Sequence, residues 1–107
     1  MKKDVLPAPI NEVYLRGRVS GEAVTKVLPS GDQVVEFRIV IPRIDSGVDT
    51  LDMAVWSANL RKKALTLHSD EWVEVAGEIR RRFWQTGSGV ASRTQIEVAT
   101  LSRIKVG

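Results

Sequence analysis

The sequence predicts an all-β fold, a small closed barrel of five strands with one short helix between the third and fourth strands. Three observations predict it. Apolar and polar residues alternate with a period of two over five separate stretches, the pattern of strands buried on one face. Clusters of Pro, Gly, Ser and Asp separate the first three of these stretches, and a Gly-Ser-Gly tip separates the last two. Only one segment has helical spacing, so closure into a barrel, plugged at one end by that helix, best hides the sheet edges.

The elements follow in order. Residues 1–10, with Pro7 and Pro9, read as a flexible arm, and residues 11–107 as one domain. Val13, Leu15, Gly17 and Val19 alternate with Tyr14, Arg16, Arg18 and Ser20. This first strand continues to Val27, with Gly21 marking a bulge or bend where it must curl. Pro29-Ser30-Gly31-Asp32 makes a turn. The second strand, Gln33 to Ile41, buries Val35, Phe37, Ile39 and Ile41 and turns out Glu36, Arg38 and Val40. Pro42 ends it, and Asp45-Ser46-Gly47 turns the chain into a third strand, Val48 to Trp56. There Leu51, Met53 and Val55 face one way and Thr50, Asp52, Ala54 and Trp56 the other. Ser57 offers an N-cap, and Leu60, Ala64 and Leu67 share one face of a short helix. The fourth strand, Glu71 to Gln85, points Val73, Val75, Gly77 and Ile79 inward. After the tip Gly87-Ser88-Gly89, a fifth strand from Ser92 to Ile104 buries Ile96 and Val98, with Leu101 a further candidate. This order is that of the OB-fold, a barrel that binds oligonucleotides and oligosaccharides; fold alone does not assign function.

Composition narrows the classes. With 107 residues, 43% of them hydrophobic, the chain suits one core. The absence of cysteine excludes disulfides, a thiol nucleophile and cysteine-ligated metal, and fits a cytoplasmic location. No stretch reads as a membrane span or a signal peptide. His68, the single histidine, sits at the helix end, where capping explains it, and Asp49 with Asp52 is too sparse for a metal site. Gly87-Ser88-Gly89 lacks the lysine of a phosphate-binding loop, and no serine sits in a nucleophile elbow. The expectation is a protein that is not an enzyme and needs no cofactor or metal. Lys and Arg outnumber Asp and Glu 16 to 13, a net charge of +3, which permits a polyanionic partner.

The binding candidates are aromatic and basic. Trp56 ends the third strand on the face opposite Leu51, Met53 and Val55, where an indole can stack on a base or pack under the helix. In Arg80-Arg81-Arg82-Phe83-Trp84, strand alternation puts Arg80, Arg82 and Trp84 on one face and Arg81 and Phe83 on the other. Arginine neutralises phosphate and tryptophan offers a platform indifferent to sequence, so single-stranded nucleic acid fits this row. Beyond the barrel both faces of a long hairpin are open, so Phe83 is a further candidate for contact with DNA; the competing reading makes Phe83 and Trp84 a self-association surface. Arg18, Arg38 and Arg43 are supporting candidates for a basic track leading to Trp56; Lys26, Arg61, Lys62 and Lys63 rank lower. Trp72 shares its face with Glu74, Ala76 and Glu78, which argues for packing on protein rather than on phosphate.

The stretch Asn11-Glu12-Val13-Tyr14-Leu15-Arg16-Gly17-Arg18-Val19 resembles the opening of the bacterial single-stranded DNA-binding protein family. The resemblance runs on through Ser30-Gly31, Phe37-Arg38-Ile39, Ala54-Val55-Trp56, Val73 to Arg80, Phe83-Trp84 and Thr94-Gln95-Ile96-Glu97-Val98. It implies an OB-fold that binds single-stranded DNA in replication, recombination or repair, assembled as a homotetramer; composition leaves homotetramer and homodimer both open. It also implies stacking roles for Trp56 and Trp84. The sequence departs from the pattern at Thr50-Leu51 and Pro42-Arg43-Ile44, where the family often carries further aromatics. It also ends at Lys105-Val106-Gly107, without the acidic tip that recruits other proteins, so a tail-less member is expected. Single-stranded RNA satisfies the same contacts. The alternative from another class is an OB-fold module bridging proteins through Phe83, Trp84 and Trp72.

Overall fold

The computed structural model describes residues 5–106. Five strands, β1 (Val13–Val27), β2 (Gln33–Pro42), β3 (Val48–Val55), β4 (Trp72–Thr86) and β5 (Gly89–Arg103), surround one helix, α1 (Ala58–Leu65). The expected fold class is the observed one, a closed barrel in the order β1-β2-β3-β5-β4. Residues 1–4 of the expected arm lie outside the described residues. Residues 5–12 form neither helix nor strand, and Val5, Leu6 and Ile10 are exposed.

Closure depends on β1 serving two partners. Val13–Arg18 pairs with Trp72–Gly77 of β4, whereas Arg18–Val27 pairs with Gln33–Val40 of β2. The ladder with β2 shifts between Ser20 and Val24, and Gly21 at φ +76° supplies the left-handed residue that this curl requires. Asn11 terminates the ladder with β4: its side-chain amide donates to the Ile79 carbonyl at 2.8 Å and accepts from the Ile79 N–H at 2.9 Å. The barrel closes through a short parallel contact, Met53 with Ile96 and Ala54 with Glu97.

Inward residues of every strand form the core, with Val19, Ile39, Met53, Val55 and Val73 at 0–1% exposure. Ala64 and Leu67 plug it from the helical segment. Two helix-end expectations change. Ser57 occupies the N-cap position but its hydroxyl makes no capping bond. Thr66, rather than His68, closes the C-terminus: its N–H and hydroxyl both donate to the Lys63 carbonyl.

Beyond Glu78 the fourth strand pairs only with β5, and before Ile96 the fifth pairs only with β4. Residues 80–95 therefore form a two-stranded arm that projects from the barrel. Ile79 has the inward parity expected of it but sits at the root of this arm, 49% exposed. Two isoleucines thus give a direct contrast. Ile39→Ala, at 0% exposure, is expected to cost about 2–5 kcal/mol, and Ile79→Ala well under half of that, read from urea unfolding midpoints.

Candidate nucleic-acid interface

The outer face of β2 and β3 is built by strand parity. Glu36 lies opposite Ala54 and Arg38 opposite Asp52, while Lys26 on β1 lies opposite Val34. The arm folds toward this face. Its two-residue turn at Gly87-Ser88 sets a register in which Arg82 lies opposite Arg93 and Trp84 opposite Ala91. Arm and barrel together enclose a groove of about 420 Å³. Trp56, Val34 and Glu36 line it on the barrel side, and Arg82, Trp84 and Arg93 on the arm side. Phe83 reaches its rim, although strand alternation turns the ring toward Arg81, whose guanidinium lies 5.1 Å from the ring centroid. A neighbouring hollow shares Lys26, Glu36, Arg93 and Gln95 and extends the depression to Arg38 and Ser20.

Inside the groove, the Arg82 guanidinium covers the Trp56 ring at 4.2 Å from its centroid. Trp56 is partly buried and its indole N–H has no partner among the described residues. Trp84 is 47% exposed, so its ring is available to a ligand. Burial raises the Glu36 pKa, but hydrogen bonds from Lys26 and Gln95 and the charges of Lys26 and Arg93 outweigh it and hold the carboxyl below its ordinary value. Lys26 Nζ sits 2.8 Å from that carboxylate. Among the described residues the groove lining holds three cations, Lys26, Arg82 and Arg93, and one carboxylate. With Asp52 beside it, 4.0 Å from Arg93, the lining carries a net positive charge.

The lowered glutamates tie stability to pH. Glu71 is held down by the His68 N–H and by Arg103, Glu74 by the Tyr14 hydroxyl and Arg16, and Glu36 by the partners just named. Lowered folded-state values contribute stability that is present above the ordinary value of 4.5 and is lost as pH falls through the lower folded value. The urea midpoint is expected to fall on acidification below about pH 4.5, with a shallower fall in Glu36→Gln.

The sequence candidates divide. Trp56, Arg82, Phe83 and Trp84 meet at the groove, and Arg38 lies in the adjoining hollow. Arg80 shares the strand face of Arg82 but is turned to Glu78 at 2.5 Å and Glu97 at 3.5 Å. Arg38 is paired with Asp52 at 3.1 Å, and Arg43, in the loop between β2 and β3, with Asp49 at 2.7 Å. Arg18 is partly buried between Val40 and Trp72, outside the groove lining. The expected basic track is thus largely neutralised by carboxylates on neighbouring strands. Arg93 and Gln95 were not among the sequence candidates. Counting back from the turn at Gly87-Ser88 places both beside Arg80 and Arg82, and that is the signal that finds them.

Among the described residues no helix is long and apolar enough to cross a membrane, and no group of three or more His, Cys, Asp or Glu side chains is arranged to hold a metal.

Comparison with known proteins agrees with the fold. No curated protein sequence matches the chain. Among solved structures, a Plasmodium falciparum SSB in complex with ssDNA is similar at TM-score 0.74 and 23% identity, covering 94% of this chain and 100% of that one. The model of the single-strand binding protein family matches residues 10–104, nearly the whole length, and on that match this chain belongs to the single-strand binding protein family.

Proposed function

We propose that this chain binds single-stranded DNA with little sequence preference, stacking bases on Trp56 and Trp84 and neutralising phosphates with Arg82, Arg93 and Lys26. The observation that carries the reading is the convergence of two indoles and three cations on one groove between arm and barrel. Stacking accepts any base, and cations accept any phosphate, so sequence contributes little. Arg38 extends the phosphate path, while Arg80, Arg18 and Arg43 act at most on the flanks of the bound strand. The activity serves replication, recombination or repair, wherever single strands are exposed, and it is binding rather than catalysis. Among the described residues the one carboxylate lining the groove, Glu36, is held by Lys26 and Gln95 instead of being poised as an acid or base.

Titration of labelled dT oligomers by fluorescence anisotropy, repeated over a range of salt, tests the reading. Affinity is expected to fall linearly on a log–log plot against salt. Arg82→Ala and Arg93→Ala should each lower the slope by about 0.7, one released counterion per phosphate contact on a single strand. Salt-independent binding, or unchanged slopes in both variants, contradicts it. Competition by an RNA oligomer of equal length ranks DNA against RNA.

Assembly into a homodimer or homotetramer completes the proposal. The far face of the arm supports it, since Ile79, Phe83 and Val90 expose apolar surface there. Light scattering with and without a dT oligomer measures it. Loss of partner-protein binding in Phe83→Ala, with DNA binding intact, would favour a protein-bridging role instead.

A further inference from the structure

We infer that Gln95 reads the edge of one base, so that one nucleotide is held in the groove by hydrogen bonds as well as by stacking. The inference rests on the single-stranded DNA reading above and names the part of the nucleic acid that the same site engages.

Gln95 stands on the strand face that looks out of the barrel, yet it is only 3% exposed, because arm and barrel close around it. Its amide nitrogen donates to the Glu36 carboxylate, whose other oxygen lies 2.8 Å from Lys26 Nζ. This chain of partners fixes which way the amide faces. Its carbonyl Oε1 is then left with no partner among the described residues, and so is the indole Nε1 of Trp56. Both residues line the same groove. A buried acceptor and a buried donor, each unpaired, are costly and uncommon in a folded protein.

Two orphans of opposite type ask for a ligand that brings one donor and one acceptor. The sugar–phosphate backbone of DNA carries acceptors only, so it can satisfy Trp56 Nε1 but never Gln95 Oε1. A base edge carries both: thymine presents its ring N3–H between two carbonyl oxygens. Each of the four bases has at least one N–H on this edge, so the contact adds affinity without strict selection.

Arg82 sets the order of events. Its guanidinium lies over the Trp56 ring, 4.2 Å from the centroid, and neither orphan atom is reached by water in this arrangement. A base entering the groove displaces Arg82 from the indole, and the freed guanidinium meets the phosphate of the entering strand. A cation–π contact is exchanged for a phosphate contact and a stacked base.

The test is a cycle of two proteins and two ligands. The ligands are a dT oligomer and the same oligomer with difluorotoluene in place of thymine, which keeps the shape and the stacking face but has neither the N–H nor the carbonyl oxygens. Wild type is expected to bind the thymine oligomer roughly three- to tenfold tighter. Gln95→Leu, and Gln95→Met as a second variant of similar length, should lose at least half of that preference in free energy and keep only the share due to a base carbonyl on Trp56 Nε1. Equal affinities in the wild type overturn the inference without any need for a variant to fold. A preference undiminished in folded variants also overturns it. If wild type binds neither oligomer, the single-stranded DNA reading itself fails, which the first comparison makes plain.

Discussion

Trp84→Ala and Trp56→Ala are each expected to weaken binding to a dT oligomer by roughly fivefold to 150-fold, because one stacked base is worth about 1–3 kcal/mol. The two should not be equal. Trp84 presents a ring 47% exposed on the arm, so a base gains the contact outright. Trp56 is already covered by Arg82, and a base that takes its place first gives up a cation–π contact worth about 0.5–1 kcal/mol. Trp56→Ala therefore falls toward the lower end of the range and Trp84→Ala toward the upper end. Trp56→Phe, which keeps a smaller face, should recover part of the loss. Trp72 lies outside the groove lining, and Trp72→Ala should leave affinity within about twofold. Melting temperatures, measured beside the anisotropy titrations, separate lost stacking from lost packing at the partly buried Trp56.

The largest effect on stability is expected at Gly77. This residue sits where the β4–β5 ladder shifts register: Gly77 pairs with Val98 and Ala76 with Thr100, leaving Ala99 as the extra residue. The two backbones approach so closely there that a Cβ at Gly77 would collide with the Glu97 carbonyl oxygen and lie 2.9 Å from its carbon. These are main-chain atoms of the strand that also closes the barrel against β3, so they cannot swing aside as a side-chain tip can. Gly77→Ala should cost about 3 kcal/mol, the upper end of ordinary overpacking, and Gly77→Val should leave little folded protein. Gly87, at the arm tip, has no positive φ, and a methyl group added there would meet nothing within 4 Å, so Gly87→Ala should be neutral or stabilise by about 0.4–1 kcal/mol. Urea denaturation of the two alanine variants gives the comparison. Because the bulge also aims the arm, any folded Gly77→Ala should bind DNA more weakly.

Much of this molecule is legible in the alternation of its residues. The strands, the helix and the inward faces follow from a period of two broken once by a period near four, and Trp56 and Trp84 stand out because an outward indole has no core to fill. What periodicity cannot carry is which outward positions become buried. Val34 and Gln95 face away from the barrel interior, yet both are 3% exposed, because the arm and neighbouring strands cover them. Charge pairing is hidden for a similar reason. Arg38 and Arg43 read as free cations until the β2–β3 register sets Asp52 beside one and the loop sets Asp49 beside the other. Parity also fails at a bulge: the extra Ala99 is what lets Val98 and Leu101 both face the core.

Indole N–H resonances of the three tryptophans, followed by NMR while a dT oligomer is added, test the groove most directly. The Trp56 and Trp84 signals are expected to shift together with increasing DNA, that of Trp56 most strongly as its unpaired N–H gains a partner, while the Trp72 signal stays in place. A shift confined to Trp72, or none at saturating DNA, would contradict a binding site built from the arm and the outer face of the barrel.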